Sequence, residues 1–330
     1  MKRRDFMALV GVAVFQGVSP RLGAEGRRRA HIGYLNGATP TAEGGSQSGS
    51  LETLKEGLHQ LGWHERETFD MEARFANGDS SLIPRLAAEL VARRPDVIVA
   101  TGSSETKALH AVTRDIPIVF LQILDPISLG VIDSIARPGG NITGFSLGPQ
   151  IVWGKRLEIL AELLGRRPHR LAWLGNPANP GTAFSWTDAK DAAGKLGVDL
   201  IRVEVSKPDE LDGAFDALGD CDALLVGWDF LLYSLRKRIA ELAFQRRLPA
   251  IYEYRGHVVE GGLLSYGADV RDNYRRAAVY VDRILKGARP ADLPVDQASR
   301  YELVINLRAA KGLGITVPPA LLARADEVIE

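Results

Sequence analysis

The feature that most constrains the fold is a series of short, continuously apolar runs, each followed by a segment of helical periodicity. Asp96-Val-Ile-Val-Ala100, Ile116-Pro-Ile-Val-Phe-Leu121, Leu171-Ala-Trp-Leu174, Ala223-Leu-Leu-Val226 and Pro249-Ala-Ile-Tyr252 are such runs. A strand wetted on one face alternates apolar and polar residues, whereas a strand covered on both faces, as in a parallel sheet, does not. His31 to Asn36 and Phe69 to Phe75 add two further strands. Between them, Leu51, Leu54, Leu58 and Leu61 recur at helical spacing until Gly62, and Leu82 to Arg93 reads as a helix with Pro84 in its first turn. Thr106 to Thr113, Trp153 to Leu164, Thr187 to Leu196, Leu231 to Arg247 and Asn273 to Lys286 are expected to be helices as well. Repetition of strand and helix in this order predicts an α/β, doubly wound architecture. It falls into two halves, from about Ala30 to Phe145 and from Ile151 to Tyr266. Pro138-Gly-Gly140 and Gly148-Pro149 bracket the last strand of the first half, so a crossover between two lobes is expected there. The 330 residues suffice for two lobes with separate cores.

Lys plus Arg and Asp plus Glu are 41 each, so no net field draws the chain to nucleic acid or a lipid surface. The single cysteine, Cys221, excludes an intrachain disulfide and a Cys/His zinc cluster, and it opens an apolar run where a buried thiol is expected. Met1-Lys-Arg-Arg-Asp5 followed by the apolar run Phe6 to Val18 has the form of an export signal. Ser19-Pro20 breaks the run, and Leu22-Gly-Ala24 offers small residues for cleavage. Lys2-Arg3-Arg4-Asp5-Phe6-Met7 resembles a twin-arginine signal with Lys2 where Ser or Thr is usual; an ordinary secretory n-region is the other reading. No cysteine near the cleavage region could carry a lipid, so a free periplasmic protein is expected.

Gly-x-Gly-x-x-Gly, the Walker loop and His-Glu-x-x-His are all absent, and no cofactor is expected. Gly144-Phe-Ser-Leu-Gly148 has the form of a nucleophile elbow, in which Ser146 would need Asp229 and His257 beside it to make a hydrolase. The carboxyl ends of the strands are more informative, since ligands of open α/β sheets sit outside them. These ends read Asn36-Gly37, Thr101-Gly102-Ser103-Ser104, Gln122 to Asp125, Asn176-Pro177, Trp228-Asp229 and Tyr252-Glu253-Tyr254. Hydroxyls and free N–H groups at Thr101 to Ser104 suit a carboxylate. Asp229 or Glu253 beside Trp228, Tyr252 and Tyr254 suits an ammonium group. Helix capping is the competing explanation for any one of these polar residues.

The chain also resembles the ABC-transporter substrate-binding proteins of the branch related to bacterial aromatic amino-acid-binding lipoproteins. The resemblance runs from about Ala30 to Glu330. It is carried by Pro95-Asp-Val-Ile-Val-Ala-Thr-Gly102, Ile116-Pro-Ile-Val-Phe120 with Asp125-Pro126, and Ala136-Arg-Pro-Gly-Gly-Asn-Ile-Thr-Gly-Phe145. Glu260-Gly-Gly-Leu-Leu-Ser-Tyr-Gly267, Tyr280 to Gly287, Leu293-Pro-Val295, Glu302-Leu-Val-Ile-Asn306 and Ala323 to Glu327 extend it. The resemblance implies a type I periplasmic binding-protein fold: two Rossmann-like lobes joined by three crossovers, with Gly144 to Gly148 as the first hinge. It implies an export signal and linker over 1–29, one lobe from 30–147 plus about 268–300, and another from 148–267 plus about 301–330. Asn36, Gly37, Thr101 to Ser103 and Asp125 would line the first lobe. Asn176, Asp229 and Tyr252 to Tyr254 would line the second. Trp228-Asp229 and Tyr252-Glu253-Tyr254 depart from the family in being richer in acids and rings.

The expected function is therefore capture of a small organic solute, an amino acid or an aromatic or carboxylate compound. An inner-membrane ABC permease would be the partner of a monomeric receptor, without nucleic acid. A Ser146 hydrolase and a periplasmic ligand sensor are the alternatives; the sensor reading lacks a DNA-binding head. Replacing Arg3 and Arg4 by Lys is expected to block delivery to the periplasm by the twin-arginine route, measured as mature protein in a periplasmic extract. Undiminished delivery would exclude that route.

Overall fold

The computed structural model describes residues 28–40, 48–148 and 151–330; the proposed export signal up to Ala24 and Pro149 of the crossover lie outside them. Among the described residues thirteen strands appear in chain order: β1 (Ala30–Asn36), β2 (Phe69–Phe75), β3 (Val97–Thr101), β4 (Ile118–Ile123), β5 (Ile142–Ser146), β6 (Arg170–Gly175), β7 (Asp199–Glu204), β8 (Ala223–Val226), β9 (Ala250–Tyr252), β10 (Leu264–Ala268), β11 (Asp296–Gln297), β12 (Tyr301–Asn306) and β13 (Glu327–Ile329). They form two sheets, ordered β11-β5-β4-β3-β1-β2 and β13-β12-β10-β9-β8-β6-β7. All pairings between these strands are parallel except β10 with β12. The continuously apolar runs are the inner strands: every residue of β3, β4 and β8 is buried, as the need for cover on both faces requires. The fold is α/β with two doubly wound lobes.

Each sheet carries apolar clusters on both faces. Helix Ser48–Gln60 and helix Val270–Leu285 cover one face of the first sheet together. Tyr274, Ala277, Ala278, Val281 and Ile284, at i, i+3 and i+4 spacing, form the buried stripe of the later helix. Gly57 permits the close crossing: a Cβ there would lie 2.7 Å from Ala278 Cβ. Trp173 of β6 is the largest fully buried side chain, and it meets the rings of Trp153 and Trp186 at 6.4 and 5.5 Å between centroids.

Several helices differ from expectation: those expected from Thr187 and Asn273 begin earlier, at Thr182 and Val270, and two others bear on the cleft. The segment expected to be one helix over Leu231 to Arg247 is two, Phe230–Ser234 and Arg236–Gln245, because the chain turns at Leu235. The helix expected from Thr106 begins at Ser103, immediately after Gly102 at φ 106°. Ser103 and Ser104 are thus the first helical residues and not loop residues preceding the helix.

The chain passes between the sheets three times, after β5, after β10 and between β11 and β12. The passages are stitched to one another. Ala298 N donates to Ser146 O at 2.9 Å, Tyr301 Oη to Leu147 O at 2.8 Å, and Asp269 N to Arg300 O at 3.0 Å. Gly148, at φ 87°, turns the first passage under the Tyr301 hydroxyl. Gly144, the other glycine of that segment, lies within β5 directly opposite Phe120 of β4. A Cβ on Gly144 would strike the Phe120 carbonyl and sit 2.6 Å from its N. Backbone cannot yield as a flexible side chain does. Gly144→Ala is expected to destabilise the protein by about 2–3 kcal/mol, which for a chain of this size lowers Tm by roughly 4–10 °C. An unchanged Tm would show that β4 and β5 do not approach this closely.

Candidate functional site

The carboxyl ends of the strands of both sheets face each other across a cleft. Ser103, Leu124 and Leu147 line it from one side, and Val152, Trp153, Arg156, Asn179, Gly181, Ser185, Trp228 and Glu253 from the other, with Ala268 and Tyr301 from the crossovers. Ser103, Asn179 and Trp228 also line an adjoining space that reaches Gly37, Gly102, Ser104, Glu105, Asn176, Asp229 and Phe230. The lobes touch here. A Cβ on Gly37 would lie 2.5 Å from the Phe230 ring, and one on Gly102 would lie 2.9 Å from it and 2.6 Å from Glu105 Oε2. Gly181 meets Ser103 in the same way, at 2.8 Å. Only glycine at these points lets the lobes come together.

Three carboxylates lie here, each with a different set of partners. Asp229 caps helix Phe230–Ser234: its Oδ1 accepts from Leu231 N at 2.8 Å, from Leu232 N at 3.2 Å and from Asn176 Nδ2 at 3.0 Å. Its Oδ2 accepts from Asn179 Nδ2 at 3.0 Å. Burial raises its pKa, and these four donors oppose the rise. Glu253 lies 3.2 Å from Arg156, a guanidinium of 2% side-chain exposure. Arg156 Nε also donates to Tyr266 O at 2.8 Å, and the group stacks 4.5 Å from the Trp153 ring centroid. Glu105 is 1% exposed, and its Oε1 has no hydrogen-bond partner. Burial holds its carboxyl well above the usual carboxylate range, and the charge of Asp229 pushes the same way.

The residues read from the sequence divide into several environments. Ser103 and Trp228 face both compartments, Glu253 the first, and Gly37, Gly102, Ser104, Asn176 and Asp229 the second. Trp228 packs edge-on against Phe230 and Tyr254 at 4.8 and 4.5 Å. Tyr254 is buried behind it, and its hydroxyl has no partner and a raised pKa from burial. Tyr252 belongs to the core of the second lobe, stacked on His257 at 4.7 Å, because adjacent side chains along extended backbone leave opposite faces and Glu253 takes the cleft side. Asn36 is spent locally, accepting from Ala38 N and donating to Tyr34 Oη, and Thr101 Oγ1 donates to Leu35 O. Asp125 folds its own turn, accepting from Ile127 N, Ser128 N and Ser128 Oγ. Gln122 sits at the β4 irregularity with φ 60°, buried, with both amide atoms unpartnered. Glu105, Arg156, Asn179, Phe230 and Tyr301 were missed by reading strand ends. Glu105 and Phe230 stand next to residues named from the sequence and Asn179 close after Pro177, but Arg156 and Tyr301 come from a helix and a crossover strand.

Ser146, Asp229 and His257 do not form a triad. Ser146 Oγ accepts from Gly148 N at 3.1 Å. Both His257 nitrogens are buried without partners, and burial lowers the imidazole pKa to about 3. Asp229 is engaged as described.

Two α/β lobes joined by three crossovers and enclosing a cleft at their strand ends define a solute-binding protein. Residues 40–329 match the family described as ABC transporter substrate binding protein, and the chain belongs to that family. It is 26% identical over 269 residues to the tyrosine-binding protein of Clostridioides difficile, across 80% of this chain and 77% of that one. The structure of a conserved domain protein from Vibrio cholerae matches with a TM-score of 0.85 and 27% identity, covering 91% of this chain and all of that one. An ABC domain from Streptococcus pneumoniae in complex with L-Trp matches with a TM-score of 0.84 and 25% identity over the same shares.

Asp229→Ala removes a helix cap and strands the amides of Asn176 and Asn179. It is expected to cost about 2–4 kcal/mol of stability, read by urea denaturation. A loss below about 0.5 kcal/mol would show that the carboxylate is not the organising acceptor.

Proposed function

We propose that this chain is an exported, monomeric solute receptor whose cleft binds an aromatic amino acid or a related aromatic carboxylate for an ABC permease. The observation that carries this reading is the lining of the first compartment. Trp153, Trp228 and Tyr301 supply ring faces while Ser103, Asn179 and Ser185 supply hydrogen-bonding groups. Apolar walls with a few placed polar groups are the usual make-up of a small-molecule site. The tyrosine-binding relative and the L-Trp complex support the choice of ligand class. The solute's ring lies in this compartment. Its carboxylate lies at the first turn of helix Ser103–Val112, where the helix start and the Ser103 and Ser104 hydroxyls favour an anion. Among the described residues no helix is long and apolar enough to cross a membrane.

The fit is tested by thermal-shift screening of amino acids, aromatic acids and small carboxylates. A true ligand at about a hundred times its Kd stabilises the native protein by about 2.7 kcal/mol, so aromatic amino acids are expected to raise Tm by several degrees. Trp228→Ala is expected to weaken them by roughly tenfold or more, since a buried ring contact is worth about 0.5–1.5 kcal/mol beyond its area. A response confined to non-aromatic compounds would overturn the assignment.

A further inference from the structure

The three carboxylates of the cleft are not equally available to a ligand. Asp229 already holds four donors, and Glu253 faces Arg156. Glu105 alone among them keeps a fully buried oxygen without a donor, and it lies within the lined space. Its remaining interactions are with the backbone N–H groups of Gly37 and of its own residue. The bare backbones of Gly37 and Gly102 border the carboxyl, and a side chain at either position would collide with it. A charged acceptor buried without a partner is costly, and a cation delivered to it removes that cost.

We infer that Glu105 receives the ammonium group of the solute, so that the cleft selects compounds carrying a primary amine over their deaminated counterparts. This rests on the solute-binding reading above and adds to it the residue that reads the amine. Ser103 and Ser104 precede Glu105 in the same helical turn, so a carboxylate and an amine on one carbon meet adjacent partners. Ser103, Asn179 and Trp228 border both compartments, which lets one solute place its polar head beside Glu105 and its ring beside Trp153. The Phe230 and Trp228 rings, edge-on at 4.8 Å, add faces that favour a cation.

A proton is the natural substitute when no ammonium is present. Burial already holds the Glu105 carboxyl in the protonated direction. The other titratable groups that act on it are Asp229 at the start of helix Phe230–Ser234 and Tyr34 on β1, whose hydroxyl is pushed up to about 12 and stays neutral. Proton and ammonium compete for one carboxylate. Preference for the amine therefore widens as pH rises.

Isothermal titration of the mature protein tests this with two probe pairs: L-tryptophan against indolepropionate, and L-phenylalanine against phenylpropionate. Wild type is expected to favour the amino acid by roughly 10–100-fold, with the ratio growing between about pH 5 and 8. Glu105→Gln, nearly isosteric, is expected to lose the preference and its pH dependence while keeping the deaminated acid's affinity and the fold by circular dichroism. Glu105→Asp should retain part of the preference. Retention of the full, pH-dependent preference in Glu105→Gln overturns the assignment, as does equal affinity for both members of a pair in wild type; both results leave the solute-binding reading intact. Binding of neither member of either pair by wild type overturns both.

Discussion

The seating of the Phe230 ring against Gly37 and Gly102 sets how closely the two lobes approach, and the rest of the cleft depends on it. The ring comes from the second lobe, and the glycines stand at the carboxyl ends of β1 and β3 in the first. A methyl group at either position would overlap the ring, and both lobes would have to part. With the ring in place, Glu105 is covered, Ser103 faces Gly181, and Trp228 becomes a shared wall of two compartments. The three crossovers make this closeness possible, since their mutual hydrogen bonds hold the two sheets side by side without a long linker.

Bringing the strand ends together buries acids, and burial of charge is expensive unless it is matched. Asp229 is matched by donors, two from the helix it caps and two from the asparagines of the facing loop. That arrangement ties the loop after β6 to the helix after β8, so the acid shapes the wall of the cleft. Glu253 is matched by a guanidinium that is itself stacked on Trp153 and bonded to the backbone of β10. Glu105 has neither a cation nor side-chain donors: only the backbone N–H groups of Gly37 and its own residue act on it, and its Oε1 accepts no hydrogen bond. Similar acids at similar places thus differ in the acceptor capacity left over once the protein's own partners are counted.

The sequence carried the architecture because the physics of a buried parallel strand is local. Five short apolar runs are enough to place β3, β4, β6, β8 and β9, and glycine and proline mark where the chain leaves the first sheet. The rule that ligands gather at strand ends points to Ser103, Trp228 and Glu253, and these three line the cleft. The strand ends also drew in residues that serve their own backbone. Asn36, Thr101 and Asp125 have the right chemistry, yet their polar atoms are consumed by neighbours within a few residues or on the next strand. Tyr252 points into the core because alternation along a strand sends adjacent side chains to opposite faces, and nothing in Tyr252-Glu-Tyr254 says which face is which.

By itself, then, the sequence determined the α/β class, the two-lobed pattern and the family. Periodicity, apolar runs and motif identity are all properties of contiguous residues. Tertiary structure alone decided which polar groups are free. Arg156 is drawn to the cleft by Glu253 and Tyr266, about a hundred residues away in the chain. Tyr301 is brought there by a crossover that returns after 154 residues, to donate to Leu147 O. Glu105 lies one residue beyond the Thr101 to Ser104 segment, and nothing local distinguishes it from a solvated helical glutamate. In the fold its Oε1 is buried in a space that Phe230 of the other lobe also lines, and burial depends on contacts between residues that the chain order keeps apart.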